Sequence, residues 1–162
     1  MLLAVLSDVH ANLPALEAVL ADARRHRPDA YLFAGDLVGG PGNVEAIDCL
    51  RSLPGWLIRG NGDTYMVRLW QGDAPPEWRT RKQFAFLRWY AGQLREADYP
   101  FLAGLPEERA VALDGLAPIR LAHGSPGGPN HGIYPRENAA QVAQALARMD
   151  EPVLIVGHTH EQ

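Results

Sequence analysis

Short apolar runs alternate with stretches of helical periodicity over the first 60 residues of the chain. Three apolar runs have the length of strands: Leu2 to Ser7, Ala30 to Ala34 and Trp56 to Ile58. Between them, apolar residues recur at helical spacing, first from Leu13 to Ala23, where Asn12 is placed to cap a helix, and again from Val44 to Leu50. This alternation predicts an α/β fold in which parallel strands are joined by right-handed helical crossovers.

The pattern changes after the third strand, where residues 64–106 are interpreted as an all-helical insertion. Within it, Thr80 and Gln83 form a capping-box pattern that predicts the start of one long helix. Apolar stretches on either side of Asp114-Gly115 then predict a β-hairpin with a tight turn. A loop rich in glycine and proline leads to a helix with Val142, Leu146 and Met149 facing inward and to a last strand, Val153 to Val156.

Composition narrows the class of protein. The chain has 162 residues, enough for one domain, 1–162, whose hydrophobic core is large enough to be stable without disulfides or structural metals. No apolar stretch approaches the roughly 20 residues of a membrane span, so no membrane partner is expected. The single Cys49 lies in an apolar helical pattern and predicts a buried, reduced thiol in a cytoplasmic protein. A net charge of −4 disfavours nucleic acid as a partner.

Metal-capable side chains follow each of five predicted strands. They are Asp8, His10, Asp36, Asn61, His123, His158 and His160. In an α/β protein, ligands bind outside the carboxyl ends of the strands, so these side chains are expected to meet there. Oxygen and nitrogen ligands without thiolate suit divalent ions such as Mn²⁺, Fe²⁺, Co²⁺ or Zn²⁺. Seven ligands are too many for one tetrahedral ion, but two ions about 3.5–4 Å apart would use them.

Five sequence motifs carry a resemblance to a known family. In order and spacing, "SDVHANLPALEAVL", "GDLVG", "GNGD", "HGSP" and "GHTH" resemble the motifs of the calcineurin-like metallophosphoesterase superfamily, in particular its small bacterial and archaeal phosphodiesterases. The motifs extend from residue 7 to residue 160. The resemblance implies a two-sheet β-sandwich flanked by helices.

The same resemblance implies roles for individual residues. Asp8, His10 and His160 would hold one metal ion, and Asn61, His123 and His158 the other. Asp36 would bridge both ions, and Asp36, Asn61 and Asp63 are the residues assigned to catalysis. The expected cofactors are two divalent ions, Mn²⁺ in the first place, with Fe, Zn, Co or Ni as alternatives. Gly35, Gly60 and Gly157 would let the backbone turn tightly below the ions.

One position departs from the family pattern. Many members carry a histidine after Gly-Asn in the third motif, near the substrate, whereas this chain has Gly62. A general acid there, worth typically about 10²–10⁴-fold, would be missing, and Asp63 would lack its usual hydrogen-bond partner and support the ligands from behind. The predicted function is therefore a phosphodiesterase that hydrolyses small or activated phosphodiesters through in-line attack of a metal-bridging hydroxide.

Other functions remain open at this point. A phosphomonoesterase or nucleotidase is the nearest alternative, a nuclease is disfavoured because no basic groove is evident, and a non-catalytic metal-binding scaffold is disfavoured because every ligand position is filled. His26 and His131 match no ligand motif. His26 is interpreted as a structural or exposed residue at a helix end, and His131 as a surface loop residue, with a substrate-facing role as the alternative. Family members continue beyond the fifth motif, so we expect this chain to lack the usual C-terminal strands and its open sheet edge to favour a homo-oligomer.

Overall fold

A computed structural model describes residues 1–137 and 139–161. The strands are β1 (Leu3–Leu6), β2 (Ala30–Phe33), β3 (Gly55–Leu57), β4 (Glu108–Val111), β5 (Ile119–Ala122) and β6 (Val153–Ile155). The α-helices are α1 (Leu13–Arg25), α2 (Asn43–Arg51), α3 (Asn61–Gln71), α4 (Pro76–Thr80), α5 (Ala85–Ala91), α6 (Asp98–Gly104) and α7 (Ala139–Leu146). None of the helices in these two ranges is long and apolar enough to cross a membrane.

The first sheet has the order β1-β2-β3, and all of its strand pairs are parallel, as the alternation of elements predicted. Because side chains alternate across a strand, the central β2 buries both of its faces. Tyr31 and Phe33 pack with the helices, while Leu32 and Ala34 point to the opposite face. The sequence of β2 therefore reads as a continuous apolar run.

The second sheet has the order β4-β5-β6 and mixes an antiparallel pair with a parallel one. Leu32 of the first sheet belongs to the same buried cluster as Val111 and Leu121 of the second. The two small sheets thus pack against each other with helices outside the first, which confirms the predicted two-sheet α/β arrangement. The β4-β5 hairpin is also confirmed, but its ladder closes at Val111 and Ile119, and the turn around Gly115 lies beyond the paired residues.

Two expectations about the helices were wrong. Thr80 ends α4, with its hydroxyl donating to the Pro76 carbonyl, and an irregular segment with a 3-10 turn separates it from α5, so no long helix starts there. The side chain of Leu146 is 41% exposed and does not face inward. Cys49 is half-buried on α2 and packs against the main core, so its predicted burial is only partial.

Candidate metal centre

Backbone hydrogen bonds join the turns that follow the strands. The N–H of Asp8 donates to Gly35 O at 3.0 Å, and the N–H of His10 donates to Asp36 O at 2.9 Å. The N–H of His158 donates to the Asp8 side chain at 2.9 Å, which connects the turn after β6 to the turn after β1. The structure therefore brings the predicted ligand segments of both sheets to one place.

Most of the predicted ligands have an unusual backbone conformation. Five of them have positive φ angles: Asp8 (54°), His10 (44°), Asp36 (50°), His158 (71°) and His160 (55°). Non-glycine residues seldom adopt this left-handed conformation, although Asp and His tolerate it better than most, and it costs on the order of 1–3 kcal/mol per residue. Such residues cluster where the surrounding fold holds functional side chains in a required position.

Three side chains form the first group of ligand atoms. Asp8, His10 and His160 each offer one atom, and these atoms all lie within 4.8 Å of one another. The Nε2 atoms of His10 and His160 are 3.2 Å apart, and His160 Nε2 is also 3.2 Å from Asp8 Oδ1. Ligand atoms bound about 2.1 Å from one metal ion stand about 3.0–3.4 Å apart, so this spacing fits a shared divalent ion.

The second group is centred on the buried side chain of His123. Its Nε2 atom lies 3.0 Å from Asn61 Oδ1 and 3.4 Å from Asp36 Oδ1. Its Nδ1 atom lies 2.7 Å from the carbonyl oxygen of Ala34, which can only accept a hydrogen bond. Nδ1 must therefore carry the proton, and the lone pair of a neutral imidazole is left on Nε2, as metal ligation requires.

Asp36 lies between the two groups. Its Oδ1 faces His123, as described above, while its Oδ2 is 3.7 Å from His10 Nε2. Burial opposes ionisation of Asp36, but the His123 imidazole, the Gly62 N–H and His10 outweigh it and hold the pKa of the carboxyl below its ordinary value. The side chain is thus an anion that presents one oxygen to each group.

His158 is placed beside the second group. Its ring lies edge-on to that of His123, with the ring centroids 5.1 Å apart. Burial and the neighbouring His123 lower the pKa of His158, which favours the neutral imidazole. Neutral imidazole is the form that binds metals.

Asp63 lies beneath the centre and is 0% exposed. Its carboxylate accepts hydrogen bonds from the N–H groups of Leu37, Val38 and Gly60 at 2.9 Å each. Burial and the charge of Asp36 raise the pKa of Asp63 to about 6 in spite of these bonds. The contacts connect the turn after β2, which carries Asp36, to the start of α3, which carries Asn61.

Glycines are needed here mainly for close approach. Gly35 has a φ of +90°, as expected for a tight turn, and a Cβ there would lie 2.9 Å from His123 Nδ1. Gly60 has a φ of −87°, which any residue can adopt, but a Cβ there would overlap Asp36 Oδ1. A Cβ on Gly157 would likewise overlap the Ser7 hydroxyl and lie 2.5 Å from Asp8 Oδ2. Only glycine therefore lets Asp36 and Asp8 lie where they do.

Two histidines are not among the ligand groups, and two other residues with a role in the fold around the centre were not predicted from the sequence. His26 caps the end of α1 and is exposed, and His131 is exposed in the loop after β5, as expected for both. Sequence reasoning missed Ala34, since a backbone carbonyl leaves no signal in the sequence. It also missed the buried Asn43, whose side chain holds the loop before α2. The only signal for Asn43 is its place at the start of a predicted helix, after three glycines and a proline over residues 39–42.

Comparison with known proteins gives this geometry a context. A family model described as the calcineurin-like phosphoesterase superfamily domain matches residues 1–162. An uncharacterized protein of Methanocaldococcus jannaschii is 38% identical over 63 residues, a match that covers 38% of this chain and 26% of that protein.

Solved structures are similar over most of the chain. A metallophosphoesterase from Sphaerobacter thermophilus is 33% identical with a TM-score of 0.73, and the match covers 98% of this chain but 60% of that one. A hypothetical protein from Pyrococcus horikoshii OT3 is 21% identical with a TM-score of 0.78, covering 95% of this chain and 68% of the other, and shares the fold. This chain thus spans only part of the length of its relatives. With the family match over residues 1–162, the fold and the five motifs, the protein belongs to the calcineurin-like phosphoesterase superfamily.

Proposed function

We propose that the protein is a dinuclear metal-dependent phosphodiesterase that hydrolyses small phosphodiesters. The observation that carries the proposal is the position of Asp36, whose Oδ1 lies 3.4 Å from His123 Nε2 and whose Oδ2 lies 3.7 Å from His10 Nε2. A buried carboxylate that faces two groups of ligand atoms suits a bridge between two ions better than a ligand of a single ion.

The two groups define the residues that would hold each ion. Asp8, His10 and His160 would hold the first, and Asn61, His123 and His158 the second. The donor set of carboxylate, amide and imidazole suits Mn²⁺ and is also compatible with Fe, Zn, Co or Ni. When bound, such a pair of ions would neutralise phosphate charge and lower the pKa of a water molecule between them.

The residues of the chain set up this chemistry in three ways. Ala34 keeps the proton of His123 on Nδ1, so that Nε2 faces the centre. Gly62 donates its N–H to Asp36 Oδ1 at 2.7 Å, which orients the bridging carboxylate. Asp63 fixes the backbone just after Asp36 and just before Asn61 and so acts as a positioning residue without contact to the substrate. Position 62 offers no acid for the leaving group, which favours diesters with good leaving groups over alkyl monoesters.

A substrate panel tests this function. The protein is stripped with a chelator, reconstituted with Mn²⁺, and assayed with bis(p-nitrophenyl) phosphate, p-nitrophenyl phosphate, alkyl monoesters and nucleotides. We expect Mn²⁺-dependent hydrolysis with the diester preferred, the same rate in His26→Ala, and almost none in His123→Ala. Preference for monoesters would indicate a phosphomonoesterase, and no hydrolysis of any ester by the loaded protein would indicate a non-catalytic scaffold.

A further inference from the structure

A cavity of about 450 Å³ lies between the loop that follows β5 and the helix α7. Loop residues between Ser125 and Glu137 line one side of it, and residues between Gln141 and Arg148 line the other. None of the seven candidate metal ligands is among the described residues that line it. Pockets for small molecules typically measure about 300–1,000 Å³, so the volume suits a small ligand. We call this feature the α7 cavity.

One face of α7 and of the turn after it forms a wall of the cavity. Gln141, Gln144, Ala145 and Arg148 line it, with the spacing i, i+3, i+4 and i+7 of one helical face. Leu146, on another face, is 41% exposed. A helix that only covers a core turns its apolar face inward, whereas α7 turns polar side chains toward the loop. This lining suits a polar ligand.

Two hydrogen-bond donors of the cavity approach the same point. A Cβ on Gly127 would lie 3.4 Å from Arg148 Nη1 and 3.2 Å from Ser125 Oγ. Ser125 is 4% exposed, and its Oγ accepts the Gly127 N–H at 3.1 Å. Its own O–H has no acceptor among the described residues and can donate to a ligand. A guanidinium and a hydroxyl that converge in this way suit the oxygens of a carboxylate.

Glu137 gives the cavity a negative charge as well. In the described part of the chain, no hydrogen bond or ion pair joins the side chain of Glu137 or of Arg148 to another residue, and the two do not pair with each other. A ligand with one charge would be attracted by one of these side chains and repelled by the other. A ligand that carries both a carboxylate and an ammonium group would be attracted by both.

We propose that the α7 cavity is a binding site for a zwitterionic α-amino acid. The carboxylate of the ligand binds Arg148 and Ser125, and its ammonium group binds Glu137. Ile133 and Tyr134 add apolar surface for the side chain of the ligand. This site is separate from the candidate metal centre, so the inference goes beyond the proposed function and does not depend on it.

Calorimetry on the full chain tests the proposal. The Kd values of L-leucine, L-glutamine and L-phenylalanine are measured without metal and again with Mn²⁺. At least one of them should bind under both conditions. The amide of that amino acid lacks the carboxylate and its N-acetyl derivative lacks the ammonium group, so each should bind about tenfold more weakly. Binding of none of the three, or binding that requires Mn²⁺, would overturn the inference.

Substitutions assign each charge of the ligand to its partner. Arg148→Gln should abolish the preference for the amino acid over its amide, and Glu137→Gln should abolish the preference over the N-acetyl derivative. Arg136→Gln is the matched control, because Arg136 pairs with Glu161 and does not line the cavity, and it should keep both preferences. Loss of a preference in the control, or both preferences unchanged in Arg148→Gln and Glu137→Gln, would overturn the inference.

Discussion

The Nδ1 atom of His123 lies 2.7 Å from the carbonyl oxygen of Ala34 and joins the end of β5 to the end of β2. The contact connects the two sheets at the candidate metal centre and sets which nitrogen of the imidazole carries the proton. In the metal-free protein, Nε2 also faces acceptors only, the oxygens of Asn61 and Asp36. A second proton, carried by Nε2, allows His123 to donate to these oxygens. A metal ion that binds Nε2 would have to displace that proton.

The pH dependence of stability in the metal-free protein follows from these contacts. Burial disfavours the charged form of His123, but Asp36 outweighs it and raises the pKa above the usual 6.5. The pKa of Asp63 is raised from 3.8 to about 6. Both groups hold protons more tightly in the folded state, so their stabilisation is complete below their unfolded pKa values and is lost as pH rises through the folded ones.

Asp63 loses its contribution between pH 3.8 and about pH 6, and His123 loses its contribution above pH 6.5, so we expect the unfolding free energy of the metal-free protein to fall as pH rises above 6.5. The lowered pKa of His158 acts in the opposite direction, but its stabilisation is lost only as pH falls below 6.5, outside this window. Urea denaturation with a chelator present measures the slope. His123→Gln should reduce it and His26→Gln should not, whereas Mn²⁺ should reverse it, because metals bind neutral imidazole. A flat or rising profile without metal would contradict the assignment.

Replacing the Asp36 carboxylate tests the proposal that one side chain bridges two metal ions. Asp36→Asn keeps the size of the side chain but removes the charge that faces His123 and His10. We expect both metal sites to weaken together and hydrolysis to fall by at least about 100-fold. Metal content after dialysis and kcat/KM at saturating Mn²⁺ measure the two effects, with the exposed Asp22→Asn as the control. Retention of most of the wild-type rate would show that the centre is not dinuclear.

Asp63→Asn tests the positioning role of the buried carboxylate. An asparagine there supplies a single oxygen for three backbone donors and turns an NH₂ group toward them. The expected loss is about 1–3 kcal/mol in unfolding free energy and about 10–100-fold in metal affinity. The measurements are denaturation curves and Mn²⁺ titrations, with the exposed Asp114→Asn as the control. A variant that lost stability but bound Mn²⁺ normally would limit Asp63 to a structural role.

A second buried carboxylate, outside the set of candidate ligands, belongs to Asp98, the first residue of α6. Asp98 is 0% exposed and accepts hydrogen bonds from the backbone N–H of Arg95 at 3.0 Å and from its Nη2 atom at 2.8 Å. Asp98→Ala should therefore lower the unfolding free energy by about 1–3 kcal/mol. Asp22→Ala, which breaks the exposed pair with Arg25, should change it by less than about 1 kcal/mol. Equal effects of the two substitutions would show that burial of the Asp98 carboxylate contributes nothing.

The place where the ligands meet could be predicted from the sequence. The carboxyl ends of parallel strands lie at one edge of a sheet, and Asp8 and Asp36 follow two such strands directly. The close approach of Asp36 to Gly60, by contrast, depends on how two separate turns pack, and no local pattern encodes it. For the same reason the contact between Ala34 and His123 could not be predicted, because a backbone carbonyl is common to every residue type.

The errors in the helices have physical causes as well. A capping box is a local signal, and Pro76 starts an earlier helix that ends at Thr80, where the Thr80 hydroxyl donates to the Pro76 carbonyl and the Arg81 N–H donates to the Glu77 carbonyl. Leu146 has the right spacing for an apolar face, but spacing alone does not say whether another element covers that face. One domain over residues 1–162 with a helical insertion over residues 64–106 stays a prediction.

If the proposed function is correct, position 62 should decide which leaving groups the protein accepts. A Cβ at Gly62 would lie 3.1 Å from Asp36 Oδ1, which already accepts the Gly62 N–H, so any side chain there pushes on the Asp36 carboxylate. The wild-type protein should hydrolyse bis(p-nitrophenyl) phosphate faster than alkyl monoesters, because p-nitrophenolate leaves without protonation. Gly62→Ala should weaken Mn²⁺ binding and lower the rates on both substrates alike. Gly62→His should disturb the Asp36 carboxylate in the same way, but it also adds an acid that can protonate the leaving group. The ratio of monoester to diester rates should therefore rise relative to Gly62→Ala. An unchanged ratio in Gly62→His, or a wild-type preference for alkyl monoesters, would show that the missing acid does not set the specificity.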